Sequence, residues 1–311
     1  MREYEHNQAQ KDQLSTASLQ KSENAKKNTQ NTVGYNMYLK HAGNSGKENT
    51  TGTEIDKVNP IPGKGDDYFD RYGNYLGSTQ SSTNNIRIIT DDALAAQLLK
   101  NAPQSINPAV VLPVSSLISA FSYDDCEENG PNIQMLSEIG SYYAAKVGID
   151  QCVRVERKKE ASTGALAFFS SPTKKDPDGY YAVAVTPSGT VNDNMNDKYA
   201  FMNSFVHEKD HHDDPSTRQN PLNHVNAIIV QSNHPTWKMA TSGFKAGTAG
   251  YAAGLLNEAL QKGVALEDVK KKMDEVNASP VAEGAELFYD EDTKMVETIV
   301  TLPEMNPFDE K

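Results

Sequence analysis

The chain has 311 residues, which is enough for one large domain or two small ones with a hydrophobic core. Its 42 Asp and Glu outnumber its 30 Lys and Arg, and a net charge of −12 without a basic stripe argues against nucleic acid as the main partner. The apolar runs are short and there are only 2 cysteines, so we expect neither a membrane span nor a disulfide framework.

The first 65 residues differ in composition from the rest of the chain. They are rich in Gln, Asn, Lys, Ser, Thr and Gly, and such a segment cannot bury enough apolar surface to offset the entropy of ordering it. We therefore predict a disordered or loosely attached polar arm over 1–65 and an ordered domain over 66–311. Met1–Asn7 lacks the apolar segment of a Sec-type signal peptide. The expectation is a protein that works where it is made or is exported by another route.

The ordered part is predicted to begin with a short hairpin. Aromatic and polar residues alternate over Asp67–Gly77 around Gly73-Asn74, a pattern typical of two strands joined by a tight turn. A further strand is predicted at Ile86–Thr90. Apolar periodicity then predicts three helices, at 93–100, 113–123 and 133–147.

Strand patterns occupy the middle of the chain, and helical patterns follow them. The predicted strands are 152–157, 165–170, 180–186 and 190–191. The predicted helices are 198–212, 222–233, 237–246 and 249–276, and an acidic hairpin is predicted at 286–289 and 295–301. This order indicates an α+β fold, in which a small mixed sheet packs against the helix at 198–212 and the C-terminal half is helical.

Five of the 7 histidines fall between residues 207 and 234, and the first two form His207-Glu208-Lys209-Asp210-His211, an HExxH pattern. Positions i and i+4 lie on one face of a helix, so both imidazoles can bind one Zn²⁺. Glu208 lies beside them, where it can take a proton from a zinc-bound water as that water attacks a carbonyl. The motif therefore predicts zinc-dependent hydrolysis with His207 and His211 as metal ligands and Glu208 as the general base.

A hydrolytic zinc site needs three protein ligands and one open position. We favour His224 as the third ligand, because a chain reversal through Pro215–Pro221 would lay the next helix beside the first two histidines. His234 and a carboxylate such as Glu258 remain alternatives. His212 points about 100° away from its neighbour on the helix and is not expected to bind the metal.

A hydrogen-bond donor should also face the carbonyl oxygen, where negative charge develops in the transition state. Tyr251, His234 and His212 have suitable chemistry, and the sequence does not choose among them.

The HExxH helix with an apolar face resembles that of the zincin metallopeptidases. The resemblance implies a peptidase that acts on a protein or peptide substrate, with an edge strand before the active helix that binds the extended substrate. Tyr180–Thr186 or Thr190–Val191 would match that strand by its order in the chain.

A third ligand on a later helix resembles the gluzincin arrangement, although that ligand is Glu there and His224 is favoured here. The metzincin spacing would place a histidine at position 217, which is Thr217.

The hairpin region Tyr68–Gly77 is similar to segments that precede effector domains in Rhs-like and other polymorphic toxins. This second resemblance implies that the peptidase acts as a secreted effector or toxin.

Two other functions stay open at this point. In a non-catalytic protein, His207, His211, His224 and an Asp could close a four-ligand zinc site. In an HNH-like nuclease, a histidine would activate water and a metal would bind phosphate, since Asp210-His211-His212 followed by Asn220 and His224 resembles the spacing of that site. The acidic charge and the absence of a strand–strand–helix order around the histidines count against the nuclease.

Overall fold

A computed structural model of the protein describes residues 63–123 and 130–300. The polar arm predicted over 1–65 lies outside these residues, apart from 63–65, and stays a prediction. The described residues combine three β-sheets with helices, which confirms the predicted α+β class.

The first sheet has five strands in the order β4-β2-β1-β3-β5. Their bounds are Asp67–Phe69 (β1), Tyr75–Ser78 (β2), Ile86–Ile89 (β3), Gln104–Ser105 (β4) and Ser115–Leu117 (β5). β1 and β2 form the predicted antiparallel hairpin. Its turn needs Gly73, which has φ 82° and where an added Cβ would lie 2.5 Å from the Cβ of Glu138. The short helices α1 (Asp92–Leu99) and α2 (Pro108–Val111) connect β3 to β4 and β4 to β5.

The helix predicted at 113–123 is wrong. Two 3₁₀ turns, Leu112–Val114 and Ile118–Ala120, flank strand β5 in this region. β5 pairs antiparallel with β3, and both the amide and the hydroxyl of Thr90 donate to the carbonyl of Val114, at 2.8 and 2.9 Å. Pairing with the sheet therefore outweighs a weak local preference for helix.

The second sheet has three strands in the order β6-β8-β7 and follows helix α3 (Pro131–Lys146). The bounds are Arg154–Arg157 (β6), Ala167–Ser170 (β7) and Tyr180–Val185 (β8). The strand predicted at 190–191 is wrong, because Thr186 and Thr190 close a tight turn there. The Thr186 amide donates to the Thr190 carbonyl (2.8 Å), and the Thr190 amide donates to the Thr186 hydroxyl (3.0 Å).

The C-terminal half is helical, as predicted, and ends in a hairpin. Its elements are α4 (Lys198–Asp213), α5 (Pro221–Asn233), α6 (Thr236–Met239), α7 (Ser242–Gln261), α8 (Leu266–Asn277), β9 (Glu286–Asp290) and β10 (Met295–Ile299). The helix breaks differ from those predicted. α7 begins where the Thr241 hydroxyl accepts the Phe244 amide and ends before Gly263, which has φ 83°. None of the helices in the described part of the chain is long and apolar enough to cross a bilayer.

Helix α4 passes through the main hydrophobic core, and its first residue is tied to the first sheet by a buried ion pair. The Nζ of Lys198 donates to Asp67 Oδ1 (2.9 Å) and to the carbonyl of Gly65 (2.6 Å). Asp67 also accepts from the hydroxyls of Ser78 (2.6 Å) and Tyr143 (2.9 Å), and both charged side chains are fully buried. A buried pair of charges is tolerated when hydrogen bonds satisfy it in this way.

Replacing Lys198 with Met should destabilise the protein by about 3–5 kcal/mol, because Asp67 would remain buried without its cation. Urea unfolding followed by circular dichroism measures this. Lys294→Met, which removes the exposed partner of Glu291, is the matched control and should cost less than about 1 kcal/mol. Equal effects of the two substitutions would contradict the structural role of the buried pair.

Candidate metal centre

The two histidines of the HExxH motif lie on a buried stretch of helix α4. The Asp197 carboxylate caps the helix by accepting the Tyr199 amide (2.9 Å), and its other oxygen accepts the Thr241 amide (2.8 Å) at the start of α7. His207 is 8% exposed and His211 is 3% exposed. Their ring centroids are 4.5 Å apart, as expected for i and i+4 positions on one face.

Helix α5 brings His224 to the same point. After α4 ends, a 3₁₀ turn at Pro215–Arg218 reverses the chain, and Asn220 caps α5 by accepting the Asn223 amide (2.9 Å). The first turn of α5 then lies against the end of α4. The His224 Nε2 is 3.1 Å from the Nε2 of His207 and 3.0 Å from the Nε2 of His211.

The two separations from His224 are close to those expected between ligands of one zinc ion, and ligand atoms of all three histidines lie within 4.8 Å of one another. Two nitrogens bound tetrahedrally at 2.0–2.1 Å lie about 3.3 Å apart, close to the separations found here. Burial, the His224 imidazole and Arg218 lower the pKa of His211 to about 3, and burial and Arg218 lower that of His224 to about 4. Burial also lowers the pKa of His207 well below its usual value. All three rings are therefore neutral at pH 7 and have lone pairs for a metal.

Thr217 orients one of these rings. Its hydroxyl donates to the carbonyl of Asp214 (2.7 Å), so the hydroxyl oxygen must accept from His211 Nδ1–H (2.7 Å). This hydrogen bond leaves the lone pair of His211 on Nε2, which faces the other two histidines. No motif in the sequence pointed to this role, because Thr217 is a small polar residue in a turn.

The carboxylate of Glu208 lies at the edge of the second sheet. Its Oε2 accepts the amide of Phe169 (2.7 Å) and lies 3.2 Å from an Nη of Arg218. Burial raises the pKa of Glu208 to about 7, although the Phe169 amide and Arg218 act in the opposite direction. Glu208 is thus held beside the histidines in an environment that suits a general base.

Arg218 is a further site residue that the motif analysis missed. Its guanidinium donates to the carbonyl of Phe169 and to the hydroxyl of Ser171 (3.2 Å), besides contacting Glu208. One sequence signal could have identified it, since Arg218 is the single Lys or Arg between Lys209 and Lys238.

Of the three residues considered as donors to the carbonyl oxygen, only Tyr251 lies at the histidine cluster. Its hydroxyl is 3.4 Å from His224 Nε2, and burial together with the charges of Glu208 and Glu258 raises its pKa to about 12. His212 points away, as predicted, and pairs with Asp213 (2.9 Å). The phenol of Tyr251 therefore stays protonated and can donate a hydrogen bond.

The other candidate ligands lie outside the cluster. His234 Nδ1 bonds the Thr236 hydroxyl (2.8 Å) at the end of α5, and Glu258 pairs with Lys262 (2.6 Å). Among the described residues, the group that could hold a metal ion consists of three histidines with no Asp, Glu or Cys. This composition leaves a coordination position open and counts against a closed four-ligand site.

The edge strand beside the site is β7 and not a segment proposed from the sequence. Tyr180–Thr186 corresponds to β8, which is the central strand of its sheet, and Thr190–Val191 is not a strand. Chain order alone misplaced the edge because β8 inserts between β6 and β7. A pocket of about 410 Å³ opens next to β7. Its walls are Phe169, Ser171, Pro172, Pro177, Asp178, His211, His212, Pro215 and Arg218.

A family model described as metallopeptidase toxin 2 matches residues 67–283, whereas no curated protein and no solved structure matches the chain. The match includes the HExxH helix, His224 and Tyr251. It also begins at Asp67, so the β1–β2 hairpin lies within the matched domain and does not precede it. The match spans well over half of the 311 residues, and the zincin-type layout agrees with it. The chain belongs to the metallopeptidase toxin 2 family.

Proposed function

We propose that the protein is a zinc-dependent peptidase that hydrolyses peptide bonds in a protein or peptide substrate and acts as an effector or toxin. One observation carries the catalytic part of this proposal: the Nε2 atoms of His207, His211 and His224 converge beside the buried carboxylate of Glu208. The effector role is inferred from the family. The same family favours peptidase chemistry over the nuclease considered above.

The three histidines would hold the metal. Zinc, when bound, lowers the pKa of a water molecule and polarises the carbonyl of the scissile bond. The neutral state of the three rings and the hydrogen bond from His211 to Thr217 suit this ligand role.

Glu208 would act as the general base. Its carboxylate takes a proton from the attacking water and then delivers that proton to the leaving amine. A pKa of about 7 allows both transfers near neutral pH, because neither the charged nor the neutral form is strongly disfavoured.

Tyr251 would donate to the carbonyl oxygen as negative charge develops on it. The hydroxyl lies 3.4 Å from His224 Nε2 and the residue is 49% exposed, so a substrate can reach it. A donor placed in advance at this position stabilises the transition state more than the ground state.

Glu208→Gln should lower peptide hydrolysis by about 10²–10⁴-fold while the protein keeps about one zinc per chain. Hydrolysis is measured as new amines released from unfolded β-casein, and zinc is measured by mass spectrometry after zinc loading and dialysis. Glu267→Gln, at an exposed position on α8, is the control and should behave like the wild type. Full activity of Glu208→Gln, or a zinc-loaded wild type that holds no metal, would refute the proposal.

Thr217→Val should weaken zinc binding by about 10–100-fold, because the buried Nδ1–H of His211 loses its acceptor. Competition with a coloured chelator measures the zinc affinity. Thr217→Ser keeps the hydroxyl and should restore the affinity. If the Val variant binds zinc as tightly as the wild type, Thr217 does not orient the ligand.

Tyr251→Phe should lower kcat by about 10²-fold and leave KM and the zinc content near the wild-type values, as expected for a donor that acts in the transition state. Tyr72→Phe changes an exposed tyrosine far from α7 in sequence and serves as the control. An unchanged kcat in the Tyr251 variant would exclude this role.

A further inference from the structure

Within the described residues, strand β7 pairs with β8 on one side only, and the backbone groups of Phe169 face the other side. The Ala184 amide donates to the Leu166 carbonyl (3.0 Å), and the register pairs Phe168 with Ala182. Hydrogen-bonded pairs alternate along an antiparallel ladder, so Leu166, Phe168 and Ser170 bond to β8. The backbone groups of Phe169 therefore point away from β8, toward the active helix.

Both backbone groups of Phe169 are occupied by side chains of the site. Its amide donates to Glu208 Oε2 (2.7 Å), and its carbonyl accepts from the guanidinium of Arg218. Arg218 also lies over the Phe169 ring, 5.3 Å from its centroid. One guanidinium thus bridges the strand edge and the carboxylate proposed as the base.

An extended peptide adds to a sheet edge by using the same two groups. Its carbonyl accepts from the strand amide, and its own amide donates to the strand carbonyl. At Phe169 the peptide must compete with Glu208 for the amide and with Arg218 for the carbonyl. The amide has one hydrogen, so Glu208 and a peptide carbonyl cannot both accept it; at the carbonyl, Arg218 occupies the outward side of the strand edge that the incoming peptide amide must approach.

We propose that Arg218 is a positioning residue that the substrate backbone displaces from the Phe169 carbonyl. This inference rests on the proposed function. In the free protein, Arg218 and the Phe169 amide hold Glu208 at the strand. When an extended peptide pairs with Phe169, it takes over both backbone groups and releases the carboxylate toward the scissile bond. Binding of the substrate to the strand edge is thereby coupled to release of the Glu208 carboxylate from the Phe169 amide.

Three features of the structure make displacement of Arg218 from the Phe169 carbonyl feasible. Its side chain is 30% exposed, and Ser171 and Glu208 can still accept its hydrogen bonds after the Phe169 carbonyl is lost. The adjoining pocket, lined by Arg218 and three prolines, has room for the displaced guanidinium or for a side chain of the peptide. Displacement therefore leaves no buried charge without a partner.

The test compares two inhibitors on the zinc-loaded full chain. Acetohydroxamate binds a metal without any peptide backbone, whereas a peptide hydroxamate with two backbone amides reaches both the metal and the strand. In Arg218→Ala the peptide hydroxamate should bind about five- to tenfold more tightly than to the wild type, because no charge-assisted hydrogen bond has to be broken first. The affinity for acetohydroxamate should not change.

Three further comparisons separate displacement of Arg218 from a general effect of the substitution on binding. Methylating the peptide amide that pairs with the Phe169 carbonyl should abolish the gain in Arg218→Ala, so each of the two amides is methylated in turn. Arg71→Ala removes an exposed arginine of the first sheet and should leave both affinities unchanged. Arg218→Lys keeps the positive charge but lacks the planar guanidinium, so its increase in affinity for the peptide hydroxamate should be smaller than that of Arg218→Ala.

The possible outcomes are distinct. Unchanged or weaker binding of the peptide hydroxamate to Arg218→Ala would overturn the inference, since an arginine that only supports the fold or anchors the substrate cannot produce a gain. If acetohydroxamate does not bind the zinc-loaded wild type, the proposed open metal site is wrong and the inference falls with it.

A measurement on the wild type guards against a variant that fails to fold. The chain has 9 phenylalanines, so ¹⁵N-Phe labelling gives few amide signals, and Phe169→Leu identifies the one that belongs to Phe169. The peptide hydroxamate should shift this signal, and acetohydroxamate should shift it much less. A bound peptide hydroxamate that leaves the Phe169 signal in place would also overturn the inference.

Discussion

The candidate site depends on one constraint, the burial of helix α4 along most of its length. Residues that carry no chemistry, such as Phe201 and Phe205, fix the helix in the main core. At its start, Asp197 joins the first turn of α4 to the first turn of α7, and the Lys198–Asp67 pair ties it to the first sheet. The rotation of the helix is therefore set by packing far from the histidines, and this rotation decides where their rings point.

Burial also determines the electrostatics of the site. Three imidazoles share a small volume, and burial lowers the pKa of each, which suits them to bind a metal and disfavours their cationic forms. Glu208 is buried beside them, and Arg218 offsets part of the cost of its charge. The amide of Phe169 donates a further hydrogen bond to Glu208. The edge of the second sheet therefore both positions the carboxylate and stabilises its charged form.

The sequence predicted the parts of the site that follow from local periodicity. The spacing of His207 and His211 required only a helix, and the turn at Pro215–Pro221 was enough to favour His224, which the structure places next to them. Strand order could not be predicted in the same way, because the insertion of β8 between β6 and β7 is a long-range pairing. The contacts of Glu208 and Arg218 with Phe169 depend on that order.

The helix predicted at 113–123 failed for a related reason. Its local pattern is compatible with a helix, but β3 offers an unpaired edge that only the folded sheet presents. Elements whose structure is determined by a distant partner are thus the ones that a single sequence describes least well.

The three histidines and their supporting threonine come from one short stretch of chain, with His207 and His224 only 17 positions apart. Glu208 instead relies on Phe169, which lies 39 positions earlier. A helix–turn–helix fragment contains every nitrogen needed to chelate an ion, whereas the carboxylate finds its place only when the second sheet is complete. Under the proposed function, a chain that loses the sheet would keep its three nitrogens together but not the position of the carboxylate, so metal content alone would be a poor assay of the folded protein.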